Sequence, residues 1–94
     1  MKIHRLIWLE EIIEKLSWKH GIDIYEIEEL FENSPRIRFV ENGNRKGVNV
    51  YVAMGRTDGG RSLVCFYLNM GGGKALVLSA RDMTVTERKR YERK

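Results

Sequence analysis

Apolar residues recur at two different periods along the 94-residue chain, and the change of period divides it near residue 35. Leu9, Ile12, Ile13 and Leu16 repeat at spacings of three and four, which predicts a helix over Leu9–His20. Glu10 and Glu11 fall in its first turn and Lys19-His20 in its last, as the helix dipole favours, and Gly21 supplies the stop. Asp23 with Glu26 three residues later predicts a capping box for a second helix. Its apolar stripe is Ile24, Ile27, Leu30 and Phe31, and Asn33-Ser34-Pro35 ends it. Ahead of both helices, Lys2–Trp8 predicts a first strand.

Beyond Pro35 the period falls to two. Arg36-Ile37-Arg38-Phe39-Val40 alternates polar and apolar residues, and Asn42-Gly43-Asn44 signals a turn. Val48–Met54 is the next predicted strand, with Val48, Val50 and Val52 on one face. Asp58-Gly59-Gly60 predicts a hairpin. Arg61–Asn69 and Lys74–Ser79 follow, joined by Gly71-Gly72-Gly73. Thr84, with Glu87 in the capping-box position, opens a last helix from Val85 to about Lys94. That helix is almost wholly charged, so only part of it can be buried. The order is β-α-α-β-β-β-β-α. It predicts an α+β fold with an antiparallel sheet, two N-terminal helices and a C-terminal helix, in a single domain over residues 1–94.

Composition adds limits. Hydrophobic residues make up 43% and charged residues 32%, enough apolar surface for a packed core. The longest apolar run, Leu63–Leu68, is far short of a membrane span, and the N-terminus meets charge too early for a secretory signal. Cys65 is the single cysteine. It cannot form an internal disulfide, and its apolar setting predicts a buried thiol and a reducing, cytoplasmic environment. One cysteine with His4 and His20 argues against a structural zinc site, and no cofactor motif is present. Charge is asymmetric. Residues 1–35 carry eight carboxylates against four basic groups, whereas residues 36–61 carry six basic groups against two carboxylates. The asymmetry suggests a polyanion surface on one side, but a formal net charge of only +4 favours a pair of ordinary solvated faces.

The chemistry-bearing candidates are Lys19, His20, Arg56, Arg61, Arg81, Glu87, Arg88 and Tyr91. Arg56 and Arg61 flank one hairpin turn and Arg81 ends the last strand. A guanidinium cluster of this kind grips a phosphate through bidentate hydrogen bonds and supports the added charge of a phosphorane. Glu87 or His20 has the chemistry of a general base toward an RNA 2′-hydroxyl, and His20 or Tyr91 that of a general acid. Each residue also has a structural reading. Lys19-His20 neutralises a helix C-terminus, Glu87 completes a capping box, and Tyr91 packs the helix on the sheet. Arg56 pairs with Asp58 and Arg81 with Asp82 as surface ion pairs. Trp8 and Trp18 read as core residues. Gly71-Gly72-Gly73-Lys74 lacks the spacing of a phosphate loop and joins two strands, so it reads as a glycine turn.

Three ordered stretches resemble the BrnT toxin family. They are Trp18-Lys19-His20-Gly21-Ile22 with Glu26–Phe31; Val50–Thr57 with Gly59-Gly60-Arg61-Ser62-Leu63-Val64; and Ser79–Thr84 with Glu87-Arg88-Lys89-Arg90-Tyr91. The resemblance implies a RelE-like fold and a ribonuclease toxin of a type II toxin–antitoxin pair, needing no cofactor. It implies a cognate BrnA-like antitoxin, a small DNA-binding protein that masks the toxin and represses the shared operon, so that DNA is contacted only through the antitoxin. The positions carried over are the eight candidates above. Two positions depart from the pattern: Leu9 follows Trp8 where many members have Asp, and Leu16 stands where many have Asn.

The leading expectation is metal-independent mRNA cleavage by 2′-hydroxyl attack, with no membrane role. The alternative is a non-catalytic RNA- or protein-binding module of the same fold. A DNA-binding regulator is disfavoured, because no helix-turn-helix pattern carries a basic recognition helix.

Overall fold

In the computed structural model, which describes residues 3–43 and 48–93, the predicted element order is present throughout. Strand β1 is Arg5–Ile7. Helix α1, Glu10–Lys15, runs directly into a π-helical turn, Leu16–His20, and α2 is Ile24–Glu32. Strands β2 (Arg36–Asn42), β3 (Asn49–Arg56), β4 (Ser62–Gly71) and β5 (Lys74–Asp82) follow, and α3 is Val85–Glu92. Lys2 of the predicted first strand, Asn44 of the predicted turn and Lys94 at the predicted helix end lie outside the described residues.

The strands form one sheet in the order β1-β5-β4-β3-β2. Strands β2 to β5 make an antiparallel meander, but β1 pairs with β5 in parallel. The expected antiparallel sheet is thus present in β2 to β5, and the parallel β1 makes the whole sheet mixed. The physical reason is the connection. A tight turn forces antiparallel neighbours, whereas the crossover through α1 and α2 leaves the direction of β1 free. Backbone bonds from His4 and Arg5 to the Gly73 carbonyl, at 2.7 and 3.2 Å, dock β1 beside the glycine turn.

Helix α1, the π-helical turn and α2 cover one sheet face. Leu16, Ile22, Ile27 and Leu30 pack on Ala53, Leu63, Cys65, Tyr67, Ala75, Val77 and Ala80, all essentially inaccessible to water. Each large side chain removed from water here contributes about 1.5–3 kcal/mol of transfer free energy. Tyr67 anchors the centre, edge-on to Phe31 at 5.4 Å and stacked with Tyr51 at 5.9 Å. The π-helical turn ends at Gly21, whose left-handed φ of 62° a side chain would oppose, and the Ile22 amide turns back to the Leu16 carbonyl at 2.9 Å. Leu16 points inward, so Trp18, two residues on, points away and is 78% exposed. Trp18 is thus not a core residue. Trp8 does pack against the core, half-buried.

A bulge in β5 decides what the opposite face carries. Tyr67 pairs with Val77, but Phe66 pairs with Ser79, leaving Leu78 as the extra residue. Val77 and Ala80 consequently both point into the core although they are three positions apart. One inserted residue flips the alternation, which sends Arg81 to the outer face and Asp82 to the helix side.

Candidate RNA-binding face

Across the outer face runs a single cross-strand row. Arg36 is opposite Met54, Met54 is opposite Val64, and Val64 is opposite Arg81. Arg38 and Arg56 share this face by the two-residue alternation of β2 and β3. Helix α3 lies over the row and is tied to it by polar contacts. Thr84 and Glu87 form the expected capping box, with Thr84 Oγ1 accepting from the Glu87 amide at 3.1 Å and Glu87 Oε1 from the Thr84 amide at 2.9 Å.

The same Glu87 carboxylate accepts two parallel bonds from Arg81, from Nη1 at 2.7 Å and Nη2 at 2.9 Å. The Arg81 bonds, with help from the cap, hold the Glu87 carboxyl down to about 2 against the cost of burial. Arg81 also donates to the Asp82 carbonyl at 3.1 Å and lies over the Phe66 ring at 5.9 Å. At the far end of α3, Arg56 pairs with Glu92, and the half-buried Tyr91 ring meets two guanidiniums, Arg36 at 5.4 Å and Arg56 at 6.0 Å. The surface ion pairs predicted for Arg56 with Asp58 and Arg81 with Asp82 are therefore replaced by Arg56–Glu92 and Arg81–Glu87. Asp58 instead accepts from Asn33 Nδ2 at 2.9 Å and donates its amide to Glu29 at 3.1 Å, tying the β3–β4 hairpin to α2.

Arg61 goes elsewhere. It lies on the helix side and spends its guanidinium on internal acceptors: Asp82 through Nε at 2.8 Å and Nη2 at 3.0 Å, Glu26 at 3.2 Å, and the carbonyls of Gly21 and His20 at 2.9 and 3.1 Å. Bonding to Asp82 raises the Arg61 pKa further, and the same contact, with His20 close by, lowers that of Asp82. The guanidinium thus joins the end of the π-helical turn, the first turn of α2 and the end of β5. Of the eight sequence candidates, the fold brings Arg56, Arg81, Glu87 and Tyr91 to the outer face. It places Arg61 and the His20 backbone together on the other side, and leaves Lys19 and Arg88 exposed. Sequence reasoning did not single out Arg36 or Arg38. The period-two pattern of β2 puts them on one face, but only the register with β3 shows that this face is Arg56's.

Compared with solved structures, the chain matches the crystal structure of the Brucella abortus ribonuclease toxin BrnT, with a TM-score of 0.62 and 20% identity, over 85% of this chain and 96% of that one. The chain has the BrnT fold. No protein-family model matches the chain, and no curated protein matches it significantly. On this BrnT scaffold the two departures acquire physical meaning. Leu9 is the N-cap of α1, with extended backbone and no side-chain cap bond, so a carboxylate at that position would meet the free amides of the first turn. Leu16 is buried in the core. Among the described residues no helix is long and apolar enough to cross a membrane, and no three metal-ligating side chains come together.

Proposed function

We propose that this chain is a ribonuclease toxin of a type II toxin–antitoxin pair, a single domain acting in the cytoplasm and cleaving mRNA without a metal by 2′-hydroxyl attack. The observation that carries the reading is the BrnT fold together with Arg36 and Arg56 gathered at Tyr91, on the sheet face that also carries Arg81.

In this mechanism Arg56 and Arg81 support the charge that grows on the phosphorus oxygens as the 2′-oxygen attacks in line. The 2′-hydroxyl gives its proton to solvent hydroxide as its oxygen bonds to phosphorus, the bond from phosphorus to the 5′-oxygen breaks, and the Tyr91 hydroxyl protonates that departing oxygen and regains a proton from water. Glu87 serves as a positioning residue for Arg81 and not as the base, because both of its oxygens are bonded and its proton affinity is low. The partner is a BrnA-like antitoxin, through which alone the complex meets DNA.

Purified protein incubated with labelled RNA in EDTA is expected to yield 2′,3′-cyclic phosphate ends. Salt-sensitive retention of the RNA with no such product identifies the second reading, a non-catalytic binding module. That reading draws on the internal pairing of Arg81 with Glu87 and Arg56 with Glu92, which leaves those two guanidiniums already occupied.

A further inference from the structure

The arginines differ sharply in how many of their N–H groups are already used. Arg61 is saturated by carboxylates and carbonyls, Arg81 is held by Glu87 and the Asp82 carbonyl, and Arg56 shares its charge with Glu92. Arg36 makes one long bond, from Nη2 to the Arg93 carbonyl at 3.4 Å, and otherwise lies over the Tyr91 ring, its guanidinium carbon 5.4 Å from the ring centre. The Arg38 side chain has no hydrogen bond or ion pair among the described residues. Both are exposed and on the Tyr91 face of β2, at the open edge of the sheet. They are two residues apart on a strand, so their Cα atoms stand about 6.7 Å apart along the edge.

Resting on the ribonuclease reading above, we infer that Arg36 and Arg38 form a subsite for successive phosphates of single-stranded RNA, next to the linkage held at Arg56 and Tyr91. A guanidinium with free donors, fixed on an aromatic ring, is pre-organised to accept a phosphate. The RNA strand then runs along the β2 edge and away from α3. The acidic α1 and α2 lie on the other face of the sheet, which is the side that repels a polyanion.

The test is equilibrium binding of a short fluorescent 2′-O-methyl oligoribonucleotide, which lacks the attacking hydroxyl and so separates binding from cleavage. Arg36→Ala and Arg38→Ala are each expected to weaken binding about tenfold and to reduce the slope of log affinity against log salt by about 0.7, one single-strand phosphate contact. Arg36→Lys should keep the slope but still lose affinity, because an ammonium lacks the planar fork that bonds a phosphate in bidentate fashion. Arg5→Ala, on the opposite sheet edge, should leave both unchanged. All three positions are exposed or paired only at the surface, and unfolding curves confirm that each variant is folded. Wild-type binding with parental affinity and slope in both alanine variants overturns the subsite and leaves the ribonuclease reading standing. Loss through Arg36 and Arg38 in a protein that cuts no RNA supports the subsite and overturns the catalytic reading. No binding by the wild type at low salt overturns both.

Discussion

Arg81 and Glu87 face each other through two parallel hydrogen bonds of 2.7 and 2.9 Å, joining the end of β5 to the first turn of α3. This contact is the main anchor of a helix with no apolar stripe and no buried residue. Glu87 is held down to about 2 in the folded protein, whereas an unfolded glutamate titrates near 4.3. Between those values the unfolded chain binds more protons, so stability rises with pH across that window. The contribution is complete above about pH 5 and disappears as the pH falls through about 2. Glu87→Gln should flatten this acid limb and cost about 1 kcal/mol at neutral pH, since the pair is partly exposed. Urea unfolding of both proteins from pH 2 to pH 7 measures it; parallel curves would show that Glu87 carries no such linkage.

Arg61 is expected to matter for stability and not for chemistry. Removing it strands the Gly21 and His20 carbonyls and unpairs Glu26 and Asp82 at once. Arg61→Ala should cost about 2–3 kcal/mol, and Arg61→Lys should recover little, because one ammonium cannot span acceptors on three elements. At a temperature where the variant is folded, its RNA cleavage should stay within a few-fold of wild type. A large loss of cleavage without loss of stability would return Arg61 to the active face.

The first helix begins without a side-chain cap. Leu9 is extended, 42% exposed and followed by free amide groups. Leu9→Asp should place a carboxylate on those amides and raise stability by about 1 kcal/mol, offset in part by repulsion from Glu10 and Glu11. Thermal unfolding decides it: an unchanged or lower midpoint means the carboxylate does not reach the amides.

Cys65 is buried between the sheet and the helices, and burial pushes its thiol up to about 12. The native protein should therefore resist thiol reagents at neutral pH and react on unfolding. Labelling followed by mass spectrometry, with and without denaturant, checks this; rapid modification of the folded protein would contradict the burial.

The element order was legible because the apolar period changes from 3.6 to 2 at Pro35 and because Gly21, Asp23-Glu26 and Thr84-Glu87 mark helix ends locally. Three things were not legible. The direction of β1 depends on a crossover and not on any local signal. The bulge at Leu78 is invisible in a strand whose residues are apolar on both faces, yet it alone decides which way Arg81 and Asp82 point. Arg56 and Arg61 flank the same hairpin turn and read as neighbours, but five positions along a turn and a strand start carry them to opposite sides of the sheet. Charge spacing along the chain cannot report which guanidinium will be consumed by an internal carboxylate. Trp18 misled for a related reason: an aromatic residue in a helical pattern reads as core, and the π-helical turn leaves it outside.

Tyr91 offers the cleanest separation of binding from chemistry. Its ring lies against Arg36 and Arg56, and the phenolic oxygen is the group assigned to proton transfer in the proposed mechanism. Tyr91→Phe keeps the ring that positions both guanidiniums and removes only the hydroxyl that carries the proton. It should therefore bind the 2′-O-methyl oligonucleotide like wild type while cutting RNA about 100-fold more slowly, at the lower end of what positioned acid catalysis contributes. Tyr91→Ala releases both guanidiniums and should lose affinity as well as rate. Single-turnover cleavage measured beside equilibrium binding distinguishes the two effects. If Tyr91→Phe cuts at the parental rate, the proton for the leaving oxygen comes from another group, and Tyr91 is a positioning residue for Arg36 and Arg56.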